Sequence, residues 1–206
     1  MNYSNIEALS ESINIVFNLY RNFGDNDYIG EKVTQLEHAL QCAHQAALEY
    51  PENNHIILGA FLHDIGHLLS LHNEQNVNNK LFECKNKSLN GLGLVDHENI
   101  GADFLEKMGF PKSITSLGRN HVLAKRYLIT NTPDYLENLS EASKETFKMQ
   151  GGILSSSEKQ SFEDIEGNDI FIRMRHWDDM AKNTNFKYLN GINYYEKMAL
   201  ETLIRA

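Results

Sequence analysis

At 206 residues, 41% hydrophobic and 10% aromatic, the chain is long enough to bury one well-packed core and short for two, so a single domain over 1–206 is expected. The formal charge of −9 at pH 7 excludes the broadly basic surface that nucleic acid or an anionic membrane requires, and any anionic ligand must be held by a local group of cations. The opening residues MNYSNIEALSES carry neither a basic start nor an apolar run, and no stretch approaches the ~20 apolar residues of a membrane span. A cytoplasmic location is expected, with Cys42 and Cys84, which lack metal-knuckle spacing, as reduced thiols.

Apolar residues recur at three and four positions in several windows, alternation of the strand type is scarce, and only three prolines interrupt the chain. The expected class is all-α. In chain order, the spacing predicts helices over 5–22, 31–49, 54–70, 97–108, 112–128, 135–148, 169–182 and 191–204. Asp96 is expected to cap the fourth, and Met108-Gly109-Phe110-Pro111 supplies a C′ glycine and a proline stop. The segments 71–95 and 149–168, rich in Asn, Gly and Ser, read as long loops, either walls of a site or disordered connections.

The stretch IILGAFLHDIGHLLS places His63, Asp64 and His67 inside an apolar run, where an ionised carboxylate is costly unless something compensates it. His63 and His67 share a helical face, and Asp64 follows directly. Taken alone, this pair is equally a set of satisfied core histidines with a capping aspartate. Further histidines stand at His38 in QLEHAL, His97 in VDHENIG and His121 in GRNHVLAK, with Asp178 in RHWDD. The order H…HD…H…H…D resembles the HD-domain superfamily. That resemblance implies an HD-type helical bundle around a dinuclear metal site, with His38, His63, Asp64, His97, His121 and Asp178 as ligands and Asp64 as the bridge. Mixed imidazole and carboxylate ligation suits iron, manganese or zinc without choosing among them.

His67 is four after His63, Lys125 four after His121, and Arg175 three before Asp178, so three ligand positions each have a potential cation one turn away. Together these point to an anion site above the metals, with Arg175 as a fork and Lys125 as a point charge for a phosphate or phosphonate. Glu31, seven before His38, falls on the same helical face and could meet a cation from the opposite side.

The segments DYIGE at 27–31, QLEHALQCA at 35–43, HDIGH at 63–67, HVLAKRYL at 121–128, YLENLSEASKETFKMQGG at 135–152 and WD at 177–178 are similar to the HD-domain di-iron oxygenases acting on 2-amino-1-hydroxyethylphosphonate. The similarity runs from about residue 27 to the end. It implies two iron ions in a mixed-valent Fe(II)/Fe(III) centre and oxygen-dependent cleavage of the carbon–phosphorus bond of a 1-hydroxyphosphonate, giving phosphate and glycine. Position by position it implies that Tyr28 occupies an iron site until substrate displaces it. Glu31 would receive the substrate amine, and His67, Lys125, Ser143 and Arg175 would contact the phosphonate.

The loop LLSLHNEQNVNNKLFECKNKSLNGLGLVD departs from that pattern in length and polarity, which leaves the substrate open. Hydroxymethylphosphonate, giving formate, would use the same metals and cations, and a trimethylated amine would call for aromatic neighbours. An HD-type metal-dependent phosphohydrolase is the reading from another reaction class, and a catalytically silent metal-binding regulator is a third. His44, His55, His72 and His176 stand outside the expected ligand set.

Overall fold

A computed structural model of the chain describes residues 3–28, 30–78, 80–83, 93–132, 134–187 and 189–205. These form ten helices and no named strand: α1 (Tyr3–Phe23), α2 (Gln35–Glu49), α3 (Asn54–Leu62), α4 (Ile65–Gln75), α5 (His97–Lys107), α6 (Lys112–Asn131), α7 (Glu141–Met149), α8 (Ser156–Glu163), α9 (Asp169–Met180) and α10 (Ile192–Arg205). No helix among the described residues is long and apolar enough to cross a membrane. Cys84 lies outside the described residues.

The apolar run NHIILGAFL makes α3 the axis of the molecule, packed against α2, α6 and α10. Phe61 at its centre is fully buried between the rings of Phe17 from α1 and Tyr195 from α10, with centroids 5.6 and 4.8 Å away. The Tyr20 hydroxyl donates to the Phe61 carbonyl at 2.9 Å, so the polar tip of that ring is satisfied inside the core. Truncating such a ring to alanine costs about 3–5 kcal/mol. A smaller cluster joins Ala124, Phe162 and Phe171, which fixes α8 against α6 and α9.

Three predicted helices and two predicted loops differ from the structure. The helix expected over 31–49 starts at Gln35, because Thr34 forms a capping box: its hydroxyl accepts from the Glu37 N–H at 3.2 Å and the Glu37 carboxylate accepts from the Thr34 N–H at 2.8 Å. Residues 27–34 instead close a turn, with an Asp27–Thr34 bridge and the Glu31 N–H donating to the Tyr28 carbonyl at 2.7 Å. Gly30, at φ 69°, supplies the left-handed residue that this turn needs. The helix expected over 54–70 is two helices that meet at His63 and Asp64, and the second extends to Gln75, into the segment expected as loop. The helix expected over 135–148 is restricted to α7, started by the Ser140 cap, and the loop expected over 149–168 contains α8, started by a capping box of Ser155 and Glu158.

At α5 the expected stop holds and the expected start does not. The Phe110 N–H reaches the Leu105 carbonyl and the Gly109 N–H the Glu106 carbonyl, both at 3.0 Å, with Gly109 at φ 91°. Asp96 does stand at the N-cap position, but at φ 69° its carboxylate accepts from the Asn99 side chain at 2.6 Å and caps no backbone N–H.

Candidate metal centre and anion pocket

The break between α3 and α4 turns the HD pair inward. A Cβ on Gly66, two residues later, would lie 2.2 Å from the His97 carbonyl oxygen, so only glycine lets the start of α5 come this close to the start of α4. The contact carries His97 onto Asp64. A similar approach of Gly118 to the His63 backbone, with a Cβ distance of 2.9 Å to its carbonyl oxygen, brings α6 and His121 in from the other side.

The six expected ligands are brought together, each 7% exposed or less, which excludes bulk water from the centre. Asp64 stands between two clusters. Its Oδ2 lies 3.3 Å from His63 Nε2 and 3.7 Å from His38 Nε2, and Asp178 Oδ1 closes that cluster 3.5 Å from His38 Nε2. Its Oδ1 lies 3.2 Å from His97 Nε2 and 3.4 Å from His121 Nε2.

Each of these four histidines directs Nδ1 at a backbone carbonyl: His38 at Ala181, His63 at Ala60, His97 at Leu94 and His121 at Gly118, at 2.6–3.1 Å. The Nδ1–H tautomer is thereby fixed, and every Nε2 lone pair points into the centre. Within each cluster two such lone pairs face one another, His38 against His63 at 3.3 Å and His97 against His121 at 3.2 Å. Lone pairs opposed at that distance are relieved by a positive charge that both can share, a proton or a metal ion.

The proton affinities show the same demand. Burial pushes His38 down to about 4 and His121 down to about 3. His63 and His97 are raised against their burial by the Asp64 carboxylate. Burial works against the ionised form of Asp64, yet the surrounding imidazoles, His63 first, hold it well below the usual carboxylate range. Asp64 Oδ1 makes no hydrogen bond although it is buried. Four oriented imidazoles, two ionised carboxylates and an orphaned buried oxygen make a donor set that fits divalent metal.

His67 is near enough to Asp64 and His97 to count as a donor with them, but it has the opposite tautomer. The Leu94 N–H donates to His67 Nδ1 at 3.2 Å, so its proton sits on Nε2 and the ring is a hydrogen-bond donor, stacked 3.9 Å from His97. Cys42 Sγ lies 3.6 Å from His38 Nε2; burial pushes its thiol up, away from the thiolate that would bind a metal.

Above the two clusters lies a partly open cavity. Lys125, Arg175, Ser143, His67, Tyr28 and Glu31 all line it. Lys125 is 2% exposed and donates to the Thr146 hydroxyl at 3.0 Å; burial, with Arg175 nearby, brings its ammonium down to about 7. The Arg175 guanidinium donates to Asp178 Oδ2 at 2.7 Å, to Asp179, and to the Tyr135 hydroxyl at 3.3 Å. The helical-phase expectation of a free fork is thus corrected in part, because three of its five N–H groups are engaged. The Tyr28 hydroxyl donates to Asp64 Oδ2 at 2.8 Å and lies 3.5 Å from Asp178 Oδ1, while its ring stacks 3.8 Å from His38.

Glu31 reaches the cavity from the 27–34 turn and not from the face of α2, so the seven-residue helical spacing is not what places it there. Its carboxylate faces Lys182, 3.0 Å from the ammonium. Sequence reasoning missed Lys182, although it stands four after Asp178 as Lys125 stands four after His121. Also missed were Thr146 and Gln150, whose buried amide oxygen has no partner, whereas Leu94 and Val95 form part of the wall, as one reading of the 71–95 segment expected.

Residues 36–147 match the family model described as HD domain. The chain is 40% identical over 200 residues to an uncharacterized protein of Acanthamoeba polyphaga mimivirus, covering 97% of this chain and 85% of that one. It is 38% identical over 164 residues to the 1-hydroxy-2-(trimethylamino)ethylphosphonate dioxygenase (glycine-betaine-forming) of Leisingera caerulea, covering 80% and 76%. With the hydroxymethylphosphonate dioxygenase of Gimesia maris it shares 37% identity over 189 residues, covering 91% and 87%. Matches of that extent, with His38, His63, His97 and His121 all inside the HD segment, mean that the protein belongs to the HD-domain family, in its phosphonate-oxygenase group.

Proposed function

We propose that this chain, folded as one domain, binds two iron ions and uses dioxygen to cleave the carbon–phosphorus bond of a small 1-hydroxyalkylphosphonate, releasing phosphate and a carboxylate. The observation that carries the reading is a single carboxylate, Asp64, shared between two imidazole clusters directly beneath a wall of cations. The relatives named as phosphonate dioxygenases supply the reaction class.

In this reading His38, His63 and Asp178 hold one metal, His97 and His121 the other, and Asp64 both. Bound iron supplies dioxygen binding and redox capacity at that centre. The chain's own groups do the rest. Lys125 and Arg175 neutralise the phosphonate, His67 donates its Nε2–H, and Ser143 adds a hydroxyl, so that the carbon bearing the hydroxyl is held over the metals. Tyr28, whose hydroxyl now rests on Asp64, yields its place when substrate enters. Burial of all six ligands keeps competing water out. For 2-amino-1-hydroxyethylphosphonate the carboxylate product is glycine, and for hydroxymethylphosphonate it is formate.

The test is to supply iron-loaded protein with each substrate in air and without oxygen, following phosphate release and oxygen uptake together. Phosphate formed only in air and matched by oxygen consumed is the expected result. Oxygen-independent phosphate release from phosphate esters, with none from either phosphonate, would return the protein to the hydrolases.

A further inference from the structure

The wall of the cavity has an internal charge balance that decides what else a substrate can carry. Among the described residues lining it, the acids are Glu31, Asp64 and Asp178. Asp64 and Asp178 belong to the ligand clusters, so Glu31 is the one carboxylate there available to a cationic group of a ligand. It already faces a cation of the protein itself. Lys182, just beyond the end of α9, places its ammonium 3.0 Å from Glu31 Oε1, an ion pair in which that oxygen accepts no hydrogen bond, and donates to the hydroxyls of Ser140 and Ser143 at 3.1 and 3.0 Å. The two side chains are only 16% and 15% exposed, where a charge pair is screened far less than at an open surface.

We propose that Lys182 is a specificity-determining residue: its ammonium fills the cation position at Glu31 and so selects 1-hydroxyphosphonates that carry no positive group of their own. The inference rests on the proposed function and narrows its substrate. An incoming ammonium must either displace Lys182, leaving that charge partly buried and unpaired, or stand beside it and repel it. Neither cost falls on an uncharged substituent. A quaternary ammonium fares no better, since among the described lining residues the aromatic surface is limited to Tyr28 and the imidazoles, which is no cage for a methylated cation.

The best-suited substrate by this argument is hydroxymethylphosphonate. Its dianion and one O2 give formate and dihydrogen phosphate: the C–P bond, one C–H bond and the hydroxyl O–H bond break, one C–O and one P–O bond form, the two hydrogens end on phosphate, and both oxygen atoms enter the products. Carbon and phosphorus together give up the four electrons that O2 takes.

The experiment compares hydroxymethylphosphonate with 2-amino-1-hydroxyethylphosphonate on wild type, Lys182→Met and Lys182→Arg. The ratio of kcat/KM values is taken on iron-loaded protein in air. The ratio of dissociation constants is taken by calorimetry on zinc-loaded protein, where no turnover is required. Wild type is expected to favour hydroxymethylphosphonate. Lys182→Met should move both ratios toward the amino substrate by about tenfold to a hundredfold, the range for one charge-assisted hydrogen bond. Lys182→Arg, which keeps the charge, should hold the wild-type ratio.

An unchanged ratio in Lys182→Met, or the same shift in both variants, would overturn the assignment, because loss of a merely structural contact weakens both ligands alike. Absence of turnover with the binding ratios as expected would remove the proposed reaction and leave Lys182 as the selector. Absence of binding by either compound would remove both.

Discussion

Replacing Gly66 with alanine is expected to detach half of the metal centre. The added Cβ would meet the His97 carbonyl oxygen at 2.2 Å, its carbon at 2.8 Å and its Cα at 3.0 Å, whereas ordinary contact begins at 3.4 Å. These are backbone atoms and cannot swing aside, so the start of α5 must retreat by about 1.2 Å, the difference between 3.4 and 2.2. His97 heads that helix, and its Nε2 is 3.2 Å from Asp64 Oδ1. Metal–ligand distances tolerate about 0.2 Å. The displacement is several times that tolerance at one cluster, while His38, His63 and Asp178 are not tied to α5. The overpacking itself should cost about 1–3 kcal/mol, and each kcal/mol lowers Tm by about 2–4 °C in a chain of this size. The assay is metal content per chain after iron loading and desalting, read beside a thermal melt. One metal per chain with a modestly lowered Tm is expected; two metals at the wild-type Tm would refute the argument that this helix contact positions the second cluster.

Asp64→Ala should lose both metals, and retention of two irons per chain would show that the carboxylate is not shared. Zinc-loaded protein should bind a 1-hydroxyphosphonate and consume no oxygen, because zinc has no redox chemistry; oxygen uptake by demonstrably iron-free protein would be the contrary result. Lys125, faced by Arg175 and Lys182 and by Asp178 and Asp179, titrates at about 7. Its charged form is the one that holds an anion, so phosphonate affinity should be full below that pH and decline above it. In Lys125→Arg the decline should shrink to whatever the ligand's own ionisation contributes, and identical pH profiles for the two proteins would exclude Lys125 from the anion site.

That His38, His63, Asp64, His97, His121 and Asp178 gather in one place was legible because histidines at helical positions with a lone aspartate in an apolar run have little else to do. The same helical counting found Lys125 and Arg175, since both stay on the helices of the ligands they accompany. It failed where the backbone leaves the helix. The turn at Gly30, the break at Asp64 and the Ser140 cap are local decisions of hydrogen bonding, and each was smoothed over by an apolar pattern that continues through it. Lys182 was missed for a related reason: its importance comes from a tertiary partner, Glu31, 151 positions earlier, and no spacing rule relates a turn before α2 to the end of α9. Asp96 shows the limit of cap recognition, for the residue type was right and its conformation was not.

The aim of the His38, His63, His97 and His121 rings depends on main-chain oxygens, those of Ala181, Ala60, Leu94 and Gly118. A point substitution cannot delete a carbonyl. The cavity wall is made differently, from the side chains of Glu31, Ser143, Lys125 and Lys182, any of which one nucleotide change can alter. Inheritance therefore acts on the two parts with different freedom: the reactive centre is shielded from drift by being fastened to the polymer itself, while the range of molecules admitted to it can wander among descendants of one ancestor without the chemistry being lost on the way.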